Sequence, residues 1–297
     1  MTDLVVRALS SSDAGVFDAI PDPLGAREGH RRTRFRPEWM RVAVRGGEVV
    51  ARGAWWGGPD DVEPVNVNWF DVAEGEEEAG AELLRSAPWR VELEINLPGG
   101  WREEPVLCAA AKARFAAAEA AGYELLVERF LYRWTPECGL PERPGRLRFR
   151  AEPDDSVFFE ALRRIHSATL DAHALREVAE GGLDQAAQGE IDFFHWCPSP
   201  REWWQLAYTP EGELAGIHIP AHNPSGPTVG FIGVVPEQRG RGYAYDLLAE
   251  CTHFLVAKGA EFITGGTDQG NFPMAGNFTK AGFPVVGERI NFQPKAR

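Results

Sequence analysis

The residues best equipped for chemistry lie in one run, Phe231-Ile-Gly-Val-Val-Pro-Glu-Gln-Arg-Gly-Arg-Gly-Tyr-Ala244. An apolar stretch ends at Val235 and Pro236, and a loop with Gly240 and Gly242 follows. Ala244, Leu247, Leu248, Cys251 and Leu255 then recur at helical spacing, so the loop feeds a helix. The first N–H groups of a helix have no carbonyl partner, and glycines let an oxyanion come close, so this order makes an anion cradle. Arg239 and Arg241 add positive charge. A Walker loop requires Gly-Lys-Ser/Thr, which is absent. A dinucleotide fingerprint requires a third glycine where Tyr245 stands.

Those residues need a scaffold, and the chain reads as two copies of one. Arg36 to Val44 followed by Gly47 to Ala51 resembles Pro200 to Tyr208 followed by Gly212 to Gly216. Each is strand, glycine turn, strand. Ala120 to Tyr132 likewise resembles Lys280 to Phe292: a helix stops at glycine and an apolar strand follows. The first strands, Val5 to Ala8 and Arg148 to Ala151, correspond as well. Each unit is predicted to run strand, two helices, three-strand meander, helix, strand, helix, strand. In the second unit the strands are expected near 147–151, 204–209, 213–219, 227–235, 261–266 and 284–292, and the helices near 155–170, 174–189, 241–257 and 271–281. This is an α+β (mixed α/β) fold, with a central mixed sheet and helices on both sides of it. Between the units, Pro136 to Gly145 holds three prolines and two glycines, so it reads as a linker between domains at 1–135 and 146–297.

Bulk properties remove several classes. Of the net charge of -13, residues 1–140 carry -8 (16 Lys+Arg, 24 Asp+Glu) and the rest -5 (15 and 20). Neither half is basic, which argues against a nucleic-acid partner. No stretch approaches the ~18 consecutive apolar residues of a membrane span, and Met1 to Arg7 has no apolar signal region. Cys108, Cys138, Cys197 and Cys251 form no metal-type spacing and read as reduced thiols of a cytoplasmic protein. His218 and His222 could share a strand face, but without a third ligand no metal is expected.

The loop Arg239-Gly-Arg-Gly242-Tyr-Ala244 resembles the pyrophosphate loop of the GNAT acyltransferases, R/Q-x-x-G-x-G/A. Asn271-Phe-Pro-Met-Ala-Gly-Asn-Phe-Thr-Lys-Ala-Gly-Phe283 is similar to that family's last helix, and the likeness spans roughly 145 residues. The resemblance implies tandem GNAT-like domains with acetyl-CoA as co-substrate. Backbone near Val234 and Val235 would hold pantetheine, in a gap between the fourth and fifth strands. Arg239, Gly240, Arg241, Gly242, Tyr243 and Ala244 would hold the pyrophosphate, and Asn271 would touch the pantetheine arm. Many family members carry a tyrosine in the last helix as proton donor; Phe278 stands there and has no proton to give.

By the same resemblance, Asp268 lies near the thioester, where it either orients and deprotonates an amine or caps the last helix. His166 and His173 border the acceptor pocket and are alternative bases. Phe193, Phe194, Trp196, Trp203 and Trp204 either line that pocket or pack in the core. Aligning Leu83-Leu84 with Leu247-Leu248 places Glu76, Glu77 and Glu78 over the second unit's arginine loop. Carboxylates there repel a pyrophosphate, so the first domain is expected to be degenerate and to bind no CoA. The expected function is direct acetyl transfer from acetyl-CoA to a small, cationic amine, the acidic surface favouring such an acceptor. A protein N-terminus or lysine is a further possible acceptor. The alternative is a non-catalytic acyl-CoA-binding or regulatory module.

Overall fold

The computed structural model describes residues 3–9, 14–25 and 35–296. The strands are β1 (Leu4–Ala8), β2 (Met40–Arg45), β3 (Glu48–Trp56), β4 (Asn66–Val72), β5 (Glu92–Pro98), β6 (Tyr123–Trp134), β7 (Arg148–Ala151), β8 (Gln205–Tyr208), β9 (Leu214–Asn223), β10 (Gly226–Val234), β11 (Ile263–Asp268) and β12 (Val285–Pro294). Side chains alternate in burial along β5, whereas β3 and β9 are buried along most of their length. The α-helices are α1 (Ala14–Phe17), α2 (Glu77–Arg85), α3 (Pro105–Ala120), α4 (Asp155–His166), α5 (Ala172–Trp196), α6 (Tyr243–Ala257) and α7 (Phe272–Lys280). None of the described helices is long and apolar enough to cross a membrane.

The chain forms two compact units, Met1–Glu128 with Gly287–Arg297, and Arg129–Val286. In the first, strands lie in the order β1-β2-β3-β4-β5-β12, and in the second β6-β11-β10-β9-β8-β7. The break is therefore not at the proline-rich segment. The antiparallel partner of β11 is β6, with Trp134 opposite Ile263 and Arg129 opposite Asp268. The antiparallel partner of β5 is the chain's last strand, with Ile290 opposite Ile95. Residues 129–135 thus belong with the second unit, and 287–297 with the first. The proline-rich segment signals an irregular stretch, and it is one: a single 3-10 turn at Pro136–Cys138, then coil. It is held by His253 donating Nε2–H to Pro141 O (2.8 Å) and by an Arg143–Glu250 ion pair at 2.8 Å. Prolines report on local backbone, not on which sheet a neighbouring strand joins.

The two helices expected between β1 and the first meander fall largely outside the described residues; α1 is a single turn. In the second unit the observed elements follow the expected order. Three of its helices open on a side-chain cap, each donating one otherwise unpaired N–H. Asp154 accepts from Ser156 N, Asp171 from Ala174 N and Asn271 from Met274 N. α5 runs beyond the expected 174–189 and is broken at Gly182 (φ 80°, ψ 175°), a conformation that glycine adopts without strain. The core beneath α4 and α5 is Phe158, Leu162, Ile165, Ile191, Phe194, Trp204, Ile217 and Ile219. That beneath α6 and α7 includes Tyr132, Trp134, Leu248, Cys251, Ile263 and Phe278.

Candidate active site

The sheet of the second unit opens at its centre. β10 and β11 run parallel and register only at Thr228 opposite Thr264. There each threonine hydroxyl donates to the neighbouring strand's backbone, Thr228 Oγ1 to Thr264 O and Thr264 Oγ1 to Pro227 O, both 3.1 Å. One residue further on, β10 bulges between Val229 and Phe231. A Cβ on Gly230 would lie 2.7 Å from Ile219 O and from the Phe194 ring, so the bulge requires glycine. β10 stays paired with β9 from Phe231 to Val234, while its other edge has no ladder. A backbone edge without partners is a ready template for an extended ligand bearing amides.

This gap is one wall of a cleft of about 1000 Å³, at the top of the ~300–1,000 Å³ range of small-molecule sites. Val229 to Val234 line one side, and Gly266, Thr267, Met274, Asn277 and Phe278 the other. Gln238, Arg239, Gly240, Gly242, Tyr243 and Ala244 line its loop end. Gly240 and Gly242 both have φ 78°, in the left-handed region, which costs other residues roughly 1–2 kcal/mol. Gly242 is the N-cap of α6, so the N–H groups that follow have no carbonyl of their own helix to bond. The result is an anion cradle beside a free strand edge, an arrangement that fits the pyrophosphate and pantetheine of CoA.

Arg146 holds this loop from behind. Its guanidinium donates to Arg241 O (2.8 Å) and Gly242 O (3.2 Å) and pairs with the buried Asp246. The arginine precedes β7, so no local motif ties it to the loop.

The expected cofactor-binding residues separate into two groups. Val234, Arg239, Gly240, Gly242, Tyr243, Ala244, Asn271 and Phe278 line the cleft. Val235 and Arg241 do not. Val235 is buried and its N–H bonds Ala215 O at 3.0 Å, because β9 is still alongside at that point. The Arg241 side chain is exposed, away from the cleft lining. Arg239 lines the cleft, yet its guanidinium bonds Val234 O, Ala168 O and Ile165 O, so its charge sits at the carbonyl end of α4. Asn271 spends Oδ1 on its helix cap.

The expected bases also part company. Asp268 does not line the cleft. It is buried, its Oδ2 accepts from Ala172 N (2.7 Å), and Oδ1 lies 3.3 Å from Arg129 Nε. Burial, reinforced by Asp171, raises its pKa, with Arg129 opposing. Asp268 therefore anchors the start of α5, a correction to its reading as the leading base. His166 and His173 do line the cleft. His173 Nδ1 is 3.4 Å from Arg129 Nη1. His166 is 3% exposed, neither ring nitrogen has a hydrogen-bond partner, and burial, opposed by Asp171, lowers its pKa and so favours the neutral ring. His218, buried beside Gln205 Oε1 (2.8 Å), and His222, packed on Trp203, lie outside the lining.

Sequence reasoning missed Glu190 and Glu177, both cleft residues of α5. Burial, then the charges of Asp171 and Glu177, push the Glu190 carboxyl up to about 8. Burial also raises Glu177. A carboxyl raised this far inside a cleft holds its proton at neutral pH and can give it up when a cation arrives beside it. Of the aromatic stretch, Phe193 and Phe194 line the cleft, while Trp204 is buried in the core.

The first unit has the same parallel pair but a filled gap. β4 and β5 register at Asn66 with Glu92 and at Val67 with Leu93. Further along, Phe70 O accepts from Arg114 Nε of α3 at 2.9 Å. Arg114 and Arg52 both pair with Asp71, and all three side chains are buried. The start of α2 carries Glu76, Glu77 and Glu78, with Glu76 bonded to Arg45 and Glu78 to Arg85.

Residues 169–283 match the family model described as acetyltransferase (GNAT) family. A GCN5-related N-acetyltransferase from Sphaerobacter thermophilus is similar in fold, with TM-score 0.56 at 17% identity, covering 97% of this chain and 94% of that one. An acetyltransferase from the GNAT family of Colwellia psychrerythraea gives 0.51 at 13% identity, covering 99% and 100%. A tandem GNAT protein from the clavulanic acid biosynthesis pathway gives 0.50 at 16% identity, covering 98% of both chains. No curated protein matches the sequence.

Proposed function

The chain carries a domain of the acetyltransferase (GNAT) family over residues 169–283, and from that premise we propose that it is an N-acetyltransferase acting on a small cationic amine. The observation that carries the reading is the parting of β10 from β11 directly in front of the glycine cradle of α6. Acetyl-CoA supplies, when bound, a thioester whose carbonyl carbon the amine attacks, the C–N bond forming as the C–S bond breaks. The first-turn N–H groups of α6 hold the pyrophosphate, Arg146 fixes their loop, and the edge of β10 that β11 leaves, upstream of the Arg239-bonded Val234 O, orients the pantetheine. The first half is a degenerate GNAT-like domain whose gap is closed by Arg114 and whose helix start is acidic. The reading places the protein in the cytoplasm, with its four cysteines free, and gives it no nucleic-acid or membrane partner.

A second reading, a non-catalytic acyl-CoA-binding module, is favoured by Phe278. The ring is buried and stacked on Tyr132 at 4.2 Å, so α7 offers no proton donor there. Calorimetry with acetyl-CoA and a turnover assay over a panel of amines separate the two. Binding with acetylation of at least one amine is expected. Binding with no acetylation of any amine would replace the first reading by the second.

A further inference from the structure

Three features of the α4–α5 wall are left unused by acyl-carrier binding. The first is His166, 3% exposed, lining the cleft and with both ring nitrogens unpartnered. A buried polar group without a partner costs roughly 1–3 kcal/mol, which a polar atom of a ligand would recover. The second is Glu190, whose Oε2 is 4.0 Å from His166 Nε2, with Glu177 in the same wall. Arg129 is there too, but its guanidinium engages Asp171 (3.2 Å) and Asp268 (3.3 Å). The third is an apolar rim. Leu170 and Phe193 both line the cleft and are 56% and 50% exposed. Phe193 is braced by Trp196, with ring centroids 6.1 Å apart.

We infer that this wall takes the acceptor as a primary ammonium on an apolar body, an alkyl- or arylalkylamine, and that Glu190 receives the proton the nitrogen must lose. The inference rests on the acetyl-transfer reading above. The ammonium donates one N–H to Glu190 and one to His166, and its carbon skeleton covers Leu170 and Phe193. One proton passes to the Glu190 carboxylate, and the freed lone pair forms the C–N bond. A second proton leaves the nitrogen for the departing sulfur, and Glu190 returns its own to solvent. Each turnover then releases one proton, and no donor on α7 is needed, which is consistent with Phe278. An aminosugar would bring hydroxyls against the carbon of Leu170 and Phe193 and lose water without replacement. An acidic amine would meet Glu177 and Glu190.

Glu190 is faced by Asp171, the N-cap of its helix, Glu177 of that helix, His166 of α4, Arg129 of β6 and the thiol of Cys197. Its carboxyl, titrating at about 8, is protonated at pH 7 in the free chain. An arriving ammonium favours the carboxylate and expels that proton.

The test is calorimetry of the full chain, loaded with CoA, titrated with phenethylamine at pH 7 in two buffers of different ionisation enthalpy. One amine should bind, with release of up to one proton. Glu190→Gln should bind about tenfold more weakly and release none, and Phe193→Ala should weaken phenethylamine but not methylamine. In turnover, kcat/KM for phenethylamine or hexylamine should exceed that for glucosamine or glutamate by at least tenfold. Preference for glucosamine or glutamate, or undiminished proton release in Glu190→Gln, overturns this inference and leaves acetyl transfer standing. Phenethylamine binding with proton release but no acetylation of any amine removes the proton-transfer role and the acetyl-transfer reading together, and leaves only an ammonium site. Neither binding nor turnover overturns both.

Discussion

Asp268 and Glu190 are both carboxyls raised by burial, but their oxygens are differently employed. Asp268 holds the first N–H of α5 and faces Arg129. Asp268→Asn should therefore leave the position of the acidic limb of kcat/KM unchanged, and Asp268→Ala should lower stability by about 1–2 kcal/mol, read by urea denaturation. Glu190 is unlike it in facing the cleft, and its linkage has a definite sign. Its ordinary value is 4.5 and its folded value about 8, so the folded chain keeps a proton that the unfolded chain loses. Stability from this group is fully present below pH 4.5, falls as pH rises, and is lost above about 8. Glu190→Gln should match the parent at pH 4 and exceed it at pH 9 by up to about 5 kcal/mol. Equal urea midpoints at both pH values would refute the assignment. Phe278 is a packing residue: its ring stacks on Tyr132, and a Cβ on Gly265 would lie 2.8 Å from it. Phe278→Ala should cost about 3–5 kcal/mol while the pKa values of the pH–rate profile stay in place.

At the scale of elements, the loop before α6 is where sequence and structure agree most closely. Gly240 and Gly242 are readable because positive φ leaves few other choices, and the apolar run to Val235 ends where a strand must. Gly242→Ala adds left-handed strain and a Cβ at 3.4 Å from Arg146 Nη2. CoA affinity should fall at least tenfold by calorimetry, consistent with roughly 1–2 kcal/mol of strain. Arg239→Glu should do the same for two reasons, since it sets a carboxylate against both the carbonyl end of α4 and the bound anion. Other parts of the site were not legible. Arg146 reaches the loop from another part of the chain, through contacts that no spacing encodes. Glu190 is one acid on an amphipathic helix, and its role comes from the burial and neighbouring charges that folding supplies. Asp268 reads in the sequence as a base or as the cap of the last helix; its Oδ2 instead accepts from Ala172 N at the start of α5, a contact that no sequence spacing encodes.

For the whole molecule, two copies of one pattern do not mean two equal sites. The buried Arg114 occupies Phe70 O in the first unit; in the second, Arg239 reaches Val234 O, but β10 has no ladder to β11 beyond Thr228 and a cleft lies in front of it. Calorimetry should give one CoA per chain, and two equivalent sites would contradict the filled gap. The repeat itself was visible in the sequence, because strand and turn patterning is local. The allocation of the last strand of each half was not, since apolar alternation shows that a strand pairs but not with which partner. β11 needs Arg129 to Trp134 as its antiparallel neighbour, and Tyr132 and Trp134 are core residues there. β5 in turn needs Gly287 to Phe292. A fragment cut at the proline-rich segment, 146–297, would leave the β11 edge bare and keep a terminal strand with no sheet to join. Unpaired edges of that kind promote aggregation. We therefore expect 146–297 to show no cooperative thermal transition and no CoA binding. The fragment 129–286, which keeps β6 residues and omits the last strand, should unfold cooperatively and bind one CoA. If 146–297 melted cooperatively and bound CoA as tightly as the full chain, the pairing of β11 with residues 129–134 would be dispensable and the domain boundary would lie at the prolines after all.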